Sequence, residues 1–367
     1  MGAALALARR GLGRVWPNPA VGCVIVGANG EVVGRGWTQP GGRPHAETEA
    51  LRRAGALARG ATAYVSLEPC SHTGKTGPCA DALIAAGIAR VVVATEDPDP
   101  RVAGDGIARL RQSGVELRVG VCRRDAERLN AGFFRRIRDH RPLVTAKFAT
   151  TLDGRVATHR GESKWITGEA ARAWGHALRA SHDAIITGSS TIRADDPDLT
   201  CRLPGLESAS PARVVMDSRL NTPLTSRIVA TARTFPTWVV TCDGAPRERR
   251  HAFEDLGLEI IEVEPDDGGR PEVGATLRAL AGRGITRVMV EGGPHIMATF
   301  MRSGSVDRIA WFRAAAVMGG DGLPAAHAFG VDRINQMPRF VRTRTIACAP
   351  DILELYERAG KPGETEG

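Results

Sequence analysis

At 367 residues the chain is about twice the length of a typical domain, which excludes a single small module and points to two cores. A hydrophobic share of 43% and a charged share of 25% are those of globular protein, and no apolar run reaches the ~18 residues of a membrane span, so no membrane partner is expected. The formal charge of +8 would suit nucleic acid, yet basic residues are interspersed with acids everywhere except "FFRRIRDHR"; a phosphorylated small molecule accounts for the same excess, and no nucleic-acid partner is expected.

Along the first third, helical and strand-like stretches alternate: helix "ALALARRGL", strands "AVGCVIVG" and "EVVGRGW", helix "HAETEALRRAG", strand "TAYVSLE", helix "CADALIAAGI", strand "ARVVVAT", helix "GDGIARLRQSG" and strand "VELRVG". That alternation predicts a layered α/β domain. A basic helical connector, "RDAERLNAGFFRRIRDHRP", ends at Pro142, because proline disfavours helix in the residue before it. A second alternation runs from "LVTAKFATTLDG" through "DAIITGSST", "ARVVMDS", "TWVVTC", "LEIIEV", "ITRVMVEGG" and "DRIAWF", with helices such as "GEAARAWGHALRAS" between. The expected domains are 1–141 and 142–355, both α/β, followed by a polar, frayed tail at 356–367. Seven scattered cysteines, an odd count, do not resemble a disulfide framework. The opening "MGAALALARR" carries its Arg pair after the apolar run, the reverse of a secretory signal, so a cytoplasmic location is expected.

One cluster in the first domain carries chemistry. "HAE" supplies His45 and Glu47, and "SLEPCSHTGKTGPCADAL" supplies Cys70 and Cys79. One His and two thiolates hold zinc while leaving a fourth position for water, and a Glu two residues after the His moves protons in zinc deaminases. Cys79 opens a predicted helix, whose free amides favour a thiolate. Two other readings remain, a pair of core thiols or half of a structural zinc site. The polar, turn-rich "SHTGKTGP" weighs against the first, and the lack of a second close Cys or His pair against the second. A trio of Cys70, His72 and Cys79 would leave "HAE" unexplained.

The eight residues between the cysteines differ from the two usual in nucleoside and tRNA deaminases. "PNPAVGCVIV", "HAETEAL", "SLEPCSHTGKTGPCADALI" and "EDPDPRVAGDGI" resemble the deaminase half of the bifunctional riboflavin-biosynthesis deaminase-reductases. The resemblance implies a cytidine-deaminase-like three-layer fold and a zinc cofactor on His45, Cys70 and Cys79. It also implies Glu47 as the catalytic proton carrier, Asn18 against the ring, and His72, Lys75 and Thr76 at the substrate's mouth. The family usually has Arg at Lys75, Pro at Gly77 and Asn at Asp99.

In the second domain no G-x-G-x-x-G follows a strand, so a dinucleotide would have to bind otherwise than in a Rossmann fold. "RVMVEGGPHIMATFM" reads as a strand, two glycines and a helix whose first amides can hold phosphate, although taken without its context an ordinary strand-turn-helix is the better reading. "KFATTLDGRVA", "GESKWITG", "LRASHDAIITGSSTIRADDPDLTCR", "VVMDSRL" and "VEGG" stand in the order of the same family's reductase half, which is similar in fold to dihydrofolate reductase. That resemblance implies NADPH bound by Ala149, Trp165, Thr191, Asp195, Ser218, Gly293, Pro294, His295, Ile296, Met297, Ala298 and Thr299. Substrate would be bound by Ser163, Arg179, Leu199, Arg202 and Glu291, the two arginines suiting a ribose phosphate. Asp153 is an acidic residue without an assigned role, and Arg308 stands where the family usually has Glu.

The implied function is zinc-dependent hydrolytic deamination of a diaminopyrimidinone ribosyl phosphate, then NADPH-dependent reduction of its ribosyl to ribityl. The alternatives are a zinc-dependent nucleoside or tRNA deaminase with a degenerate second domain, and a zinc-stabilised binding module without turnover. A homo-oligomer is compatible with all three.

Overall fold

The computed structural model describes residues 1–72, 77–100 and 102–359. The chain divides into two compact units, one of residues 1–141 with 283–286, the other of residues 142–282 with 287 onward.

The N-terminal unit contains α1 (Gly2–Ala8), β1 (Gly22–Val26), β2 (Val32–Trp37), α2 (Ala46–Ala54), β3 (Thr62–Val65), α3 (Cys79–Ala85), β4 (Arg90–Val93), α4 (Asp105–Gln112), β5 (Glu116–Val119), α5 (Arg123–Leu129) and α6 (Ala131–Arg138). The strands form one sheet in the order β2-β1-β3-β4-β5, antiparallel at β2-β1-β3 and parallel from β3 onward. Helices cover both faces, giving three layers, because successive strand residues point to opposite sides. Cys23 and Ile25 pack with Ala46 and Ala50 of α2 and Leu83 of α3, while Leu5 and Ala8 of α1 pack with Ala126 and Leu129 of α5.

Two glycines on β2 let α2 lie directly on the strand. A Cβ at Gly34 would stand 2.3 Å from the Ala50 carbonyl oxygen, and one at Gly36 would stand 2.1 Å from that of Ala46. The helix presents Ala46, Ala50 and Ala54 to these glycines. This close seating fixes the first turn of α2, where the expected zinc ligand and proton carrier are found.

The C-terminal unit contains β6 (Leu143–Thr150), β7 (Arg155–Ala157), α7 (Glu169–Ala180), β8 (Ala184–Gly188), α8 (Ser189–Asp195), β9 (Ala212–Met216), α9 (Arg227–Ala230), β10 (Thr237–Thr241), α10 (Arg247–Asp255), β11 (Glu259–Glu262), α11 (Val273–Gly282), β12 (Arg287–Val290), α12 (Pro294–Arg302), β13 (Arg308–Arg313), β14 (Leu323–Pro324), β15 (Phe340–Cys348) and β16 (Asp351–Arg358). Nine strands form a sheet in the order β11-β10-β9-β8-β12-β6-β13-β16-β15. It is parallel as far as β13 and closes with an antiparallel β16-β15 hairpin. Strands β8, β9, β10 and β12 are buried along their whole length, as central parallel strands covered on both faces must be, and this explains their largely apolar sequence, broken only by buried Thr residues, Arg213 and Arg287.

The hairpin corrects the expected tail. Strand β16 continues to Arg358, with Tyr356 opposite Ile309 on β13 and Arg342 on β15, so residues 356–358 are sheet; residues from 360 lie outside the described ones. Arg308, a departure from the family pattern, faces Glu357 across the same pairing and ion-pairs with it at 3.0 Å.

Candidate active sites

In the N-terminal unit His45 is the N-cap of α2, in extended backbone conformation, and Glu47 lies in the first turn, 3% exposed. Cys70 follows β3 on a loop, and Cys79 is the first residue of α3. The loop is pinned at its base, because Cys79 donates its backbone N–H to Cys70 Sγ (3.3 Å) and Ala80 donates to the Cys70 carbonyl (3.2 Å). The eight intervening residues can therefore vary without separating the sulfurs. His45 Nδ1 lies 3.3 Å from Cys79 Sγ and 3.6 Å from Cys70 Sγ, and the three ligand atoms all fall within 4.8 Å of one another. A tetrahedral ion bound at ordinary Zn–N and Zn–S lengths holds its N and S ligands about 3.6 Å apart, so the set fits zinc.

The electrostatics agree. The Cys79 thiol and the His45 ring bonded to Cys70 bring its pKa down to about 4, while the bond to Cys70 and burial raise that of Cys79. Two adjacent sulfurs without a cation share one negative charge, whereas a dication would stabilise both thiolates. Burial pushes the Glu47 carboxyl up to about 7 against the opposing charge of His45, so it can both hold and release a proton near neutrality.

Around this centre, Asn18 lies against Gly42, where a Cβ would stand 1.8 Å from Asn18 Nδ2 and where φ is +84°. Gly42 is therefore required on two grounds, and sequence reading missed it. His72 lies on the loop just after Cys70, and Lys75 and Thr76 fall outside the described residues. Asp97, also missed, is raised to about 6 by burial, and its Oδ1 accepts the Asp99 N–H at 2.9 Å; the His72 ring is near enough to oppose the rise.

In the C-terminal unit, Glu291 at the end of β12 accepts a bidentate pair from Arg179 on α7, Nε to Oε2 at 3.1 Å and Nη2 to Oε1 at 2.9 Å. Lys147 on β6, absent from the sequence-based set, reaches Oε1 at 3.1 Å. The three side chains are only 13–18% exposed. Burial alone would raise the Glu291 pKa, but Arg179 and Lys147 outweigh it and hold the carboxyl well below its ordinary range. Arg179 Nη1 also donates to the Thr200 carbonyl at 2.9 Å, so its fork is committed to the protein, whereas Arg202 is half-exposed beside Asp198. Of the two arginines expected at a phosphate, Arg202 is the one with a guanidinium open to a ligand.

The expected nucleotide contacts divide by their accessible atoms. Gly293 is the N-cap of α12 and donates to Thr191 Oγ1 at 3.1 Å, Pro294 is the first helical residue, and His295 is exposed. Ile296, Met297 and Ala298 point into the core, which leaves main-chain atoms to any ligand, with Thr299 half-buried. A Cβ at Gly292 would stand 2.8 to 3.0 Å from Ile296, Thr191 and Thr187, so the turn must be glycine; a Cβ at Gly293 would meet only Thr191, at 3.9 Å. Thr187 Oγ1, fully buried beside Gly292, has no hydrogen-bond partner among the described residues. The open glycine, the first-turn amides of α12 and an unsatisfied hydroxyl fit a dinucleotide phosphate.

Leu199, expected at the substrate, lies inside the fold. It is 2% exposed, packs with Ile185, Ile192 and Val215, and has φ +55°, so only its main chain is available. Its neighbour Asp198 gives its carbonyl to the fully buried Arg213, which also bonds Thr231, Thr237 and the carbonyls of Ile228 and Phe235. Trp165 is 70% exposed with Arg172 over its ring at 4.6 Å, and Ser163 is half-buried two residues before it. Asp195 ends α8 within electrostatic reach of Lys164. Ala149 is half-buried on β6, and the Ser218 carbonyl accepts the Thr241 hydroxyl at 3.1 Å. Asp153 acquires a local role, since it accepts the Thr151 hydroxyl and the N–H groups of Met318 and Gly319, and those bonds lower its pKa to about 2.

Among the described residues no helix is long and apolar enough to cross a membrane. The model of the cytidine and deoxycytidylate deaminase zinc-binding region matches residues 1–95, and that of the RibD C-terminal domain matches residues 142–353. The riboflavin biosynthesis protein RibD of Bacillus amyloliquefaciens is 41% identical over 366 residues, covering 99% of this chain and 97% of its own. Acinetobacter baumannii RibD superposes with a TM-score of 0.88 at 38% identity, over 98% of each chain. The diaminohydroxyphosphoribosylaminopyrimidine deaminase/5-amino-6-(5-phosphoribosylamino)uracil reductase of Thermotoga maritima gives 0.84 at 33%, over 98% of this chain and 97% of its own. Similarity that runs through the second unit as well removes the ground for a nucleoside or tRNA deaminase with a degenerate partner domain, and for a zinc module without turnover. The chain belongs to the RibD family, the bifunctional zinc-dependent deaminases and NADPH-dependent reductases of riboflavin biosynthesis.

Proposed function

We propose that the N-terminal unit hydrolyses the exocyclic amine of 2,5-diamino-6-(5-phosphoribosylamino)pyrimidin-4-one, and that the C-terminal unit then reduces the ribosyl group of the product to ribityl with NADPH. The observation that carries this reading is the convergence of His45 Nδ1, Cys70 Sγ and Cys79 Sγ within 4.8 Å, with the buried Glu47 two residues after His45 in the first turn of α2.

His45, Cys70 and Cys79 would hold zinc, which when bound would supply Lewis acidity that makes water acidic enough to act as a nucleophile near neutral pH. Glu47 takes up the proton lost by the attacking water and returns it to the leaving nitrogen, so that ammonia departs neutral; burial, which raises its pKa to about 7, suits both transfers. Asn18, held by Gly42, orients the ring, and His72 and Lys75 meet the phosphorylated side chain.

NADPH, when bound in the C-terminal unit, would supply the hydride for the ribosyl carbon, a transfer for which the protein provides chiefly orientation and a dry pocket. The Gly292-Gly293 turn and the first amides of α12 receive the cofactor's phosphates, with Thr191, Ser218, Asp195, Ala149 and Trp165 around the rest. Glu291, kept ionised by Arg179 and Lys147, accepts hydrogen bonds from the sugar hydroxyls, and Arg202, Ser163 and the Leu199 main chain bind the phosphate end.

Glu47→Gln tests the first half. The variant should retain zinc and oxidise NADPH normally when given the deaminated intermediate, with ammonia release down about 100-fold or more. Ammonia release at the parent rate would contradict the assignment.

A further inference from the structure

Glu68 stands two residues before Cys70, and none of the chemistry above uses it. Its side chain is buried, the residue being 5% exposed, and both oxygens are occupied. Oε1 accepts the N–H groups of Gly106 (2.9 Å) and Ile107 (3.2 Å), and Oε2 those of Asp97 (3.2 Å) and Gly104 (3.0 Å). All four donors belong to the stretch from the end of β4 into the first turn of α4. The N-cap of α4 is Gly104, which has no side chain to offer, so Glu68 caps the helix from another loop and its negative charge meets the positive helix end. The next residue, Pro69, touches the same turn, since a Cβ on Gly106 would stand 1.9 Å from its carbonyl oxygen. Glu68 also donates its own N–H to the Thr95 carbonyl at 2.9 Å.

One carboxylate thus joins two loops that face each other. The first carries Cys70 and His72, and the second carries Asp97, within electrostatic reach of the His72 ring, and Asp99. We infer that Glu68 is a positioning residue for the deaminase reaction: by holding the N–H groups of Asp97, Gly104, Gly106 and Ile107 it sets the width of the substrate mouth between the metal-binding loop and the Asp97-Asp99 loop. The inference rests on the reading of this unit as a pyrimidine deaminase. Among the described residues both Glu68 oxygens are taken by backbone N–H groups and neither bonds His45, Cys70 or Cys79, so its effect falls on substrate binding more than on turnover.

The test is Glu68→Gln in the full chain, measuring zinc content, KM and kcat for ammonia release, and NADPH oxidation on the deaminated intermediate. An amide has one acceptor oxygen in place of two and opposes its NH2 to two donors, so KM should rise about tenfold with kcat changed less than threefold. Zinc content and NADPH oxidation should stay at parent values. Gly106→Ala perturbs the same junction from the other side and should raise KM likewise, with the double variant no worse than the more affected single one. Unchanged KM in both variants overturns the inference, and so does loss of zinc from Glu68→Gln, which would make the residue a support of the metal site itself. Absence of ammonia release from the parent enzyme would instead overturn the deaminase reading beneath it.

Discussion

In the N-terminal unit the proposed site is assembled from side chains on one helix start and one loop, His45 with Glu47 and Cys70 with Cys79, whereas the site proposed in the C-terminal unit joins main-chain groups to charges lying far apart in the sequence. Lys147 and Glu291, 3.1 Å apart, are separated by 144 positions. A metal site needs a few specified donor atoms, and residue type and spacing betray it. A site that would hold a dinucleotide on glycines and helix amides, with a substrate against a buried charge cluster, leaves a weaker trace.

The contrast predicts that the two activities can be broken separately, and by different kinds of change. Gly36→Val should have the largest effect. Its Cβ would overlap the Ala46 carbonyl at 2.1 Å, so α2 must shift and carry His45 and Glu47 with it. Zinc should be lost and ammonia release fall more than 100-fold, since misplacement by about 1 Å already costs on the order of 100-fold. NADPH oxidation on the deaminated intermediate should persist.

Glu291→Gln should do the reverse. It leaves Arg179 and Lys147 facing each other without their carboxylate, and NADPH oxidation should fall at least about tenfold while ammonia release is unchanged. Stability of the C-terminal unit should drop by about 3 kcal/mol, the low end for a broken buried pair because these side chains keep some solvent contact. Thermal unfolding followed by Trp311, on neighbouring β13, would report it.

A smaller effect belongs to His182, whose Nδ1 donates to the Leu178 carbonyl at 2.7 Å and whose Nε2, the acceptor of the neutral ring, takes the Thr145 hydroxyl at 2.9 Å. Burial first, and then Arg287, depress its pKa to about 3. Below an unfolded value of about 6.5 the unfolded chain binds a proton that the folded one refuses, so stability falls by up to about 1.4 kcal/mol per pH unit between about pH 6.5 and pH 3. In urea unfolding at pH 7 and pH 5, His182→Gln should lose less stability on acidification than the parent.

The α/β alternation was legible because buried parallel strands read as short apolar runs, as "DAIITG" and "ARVVM" do. The β15-β16 hairpin was not, since β15 is exposed along most of its length and carries no alternating burial. The zinc ligands emerged from type and spacing alone. Glu68, Gly36, Gly42 and Lys147 did not, because each acts through a partner distant in sequence, and a Glu before a Pro or a Gly in a strand has no distinctive pattern of its own. Arg179 and Leu199 show a further limit: family resemblance names a position near the substrate, but which atoms remain available depends on packing.

The central claim is that one zinc ion on His45, Cys70 and Cys79 serves the N-terminal chemistry and has no part in the C-terminal one. Its most direct test is to strip the metal with a chelator and follow ammonia release and NADPH oxidation separately, supplying the deaminated intermediate for the second. Ammonia release should vanish and return when zinc is restored, with NADPH oxidation unaffected throughout. Ammonia release that survives complete removal of zinc, or NADPH oxidation that disappears with it, would contradict the account.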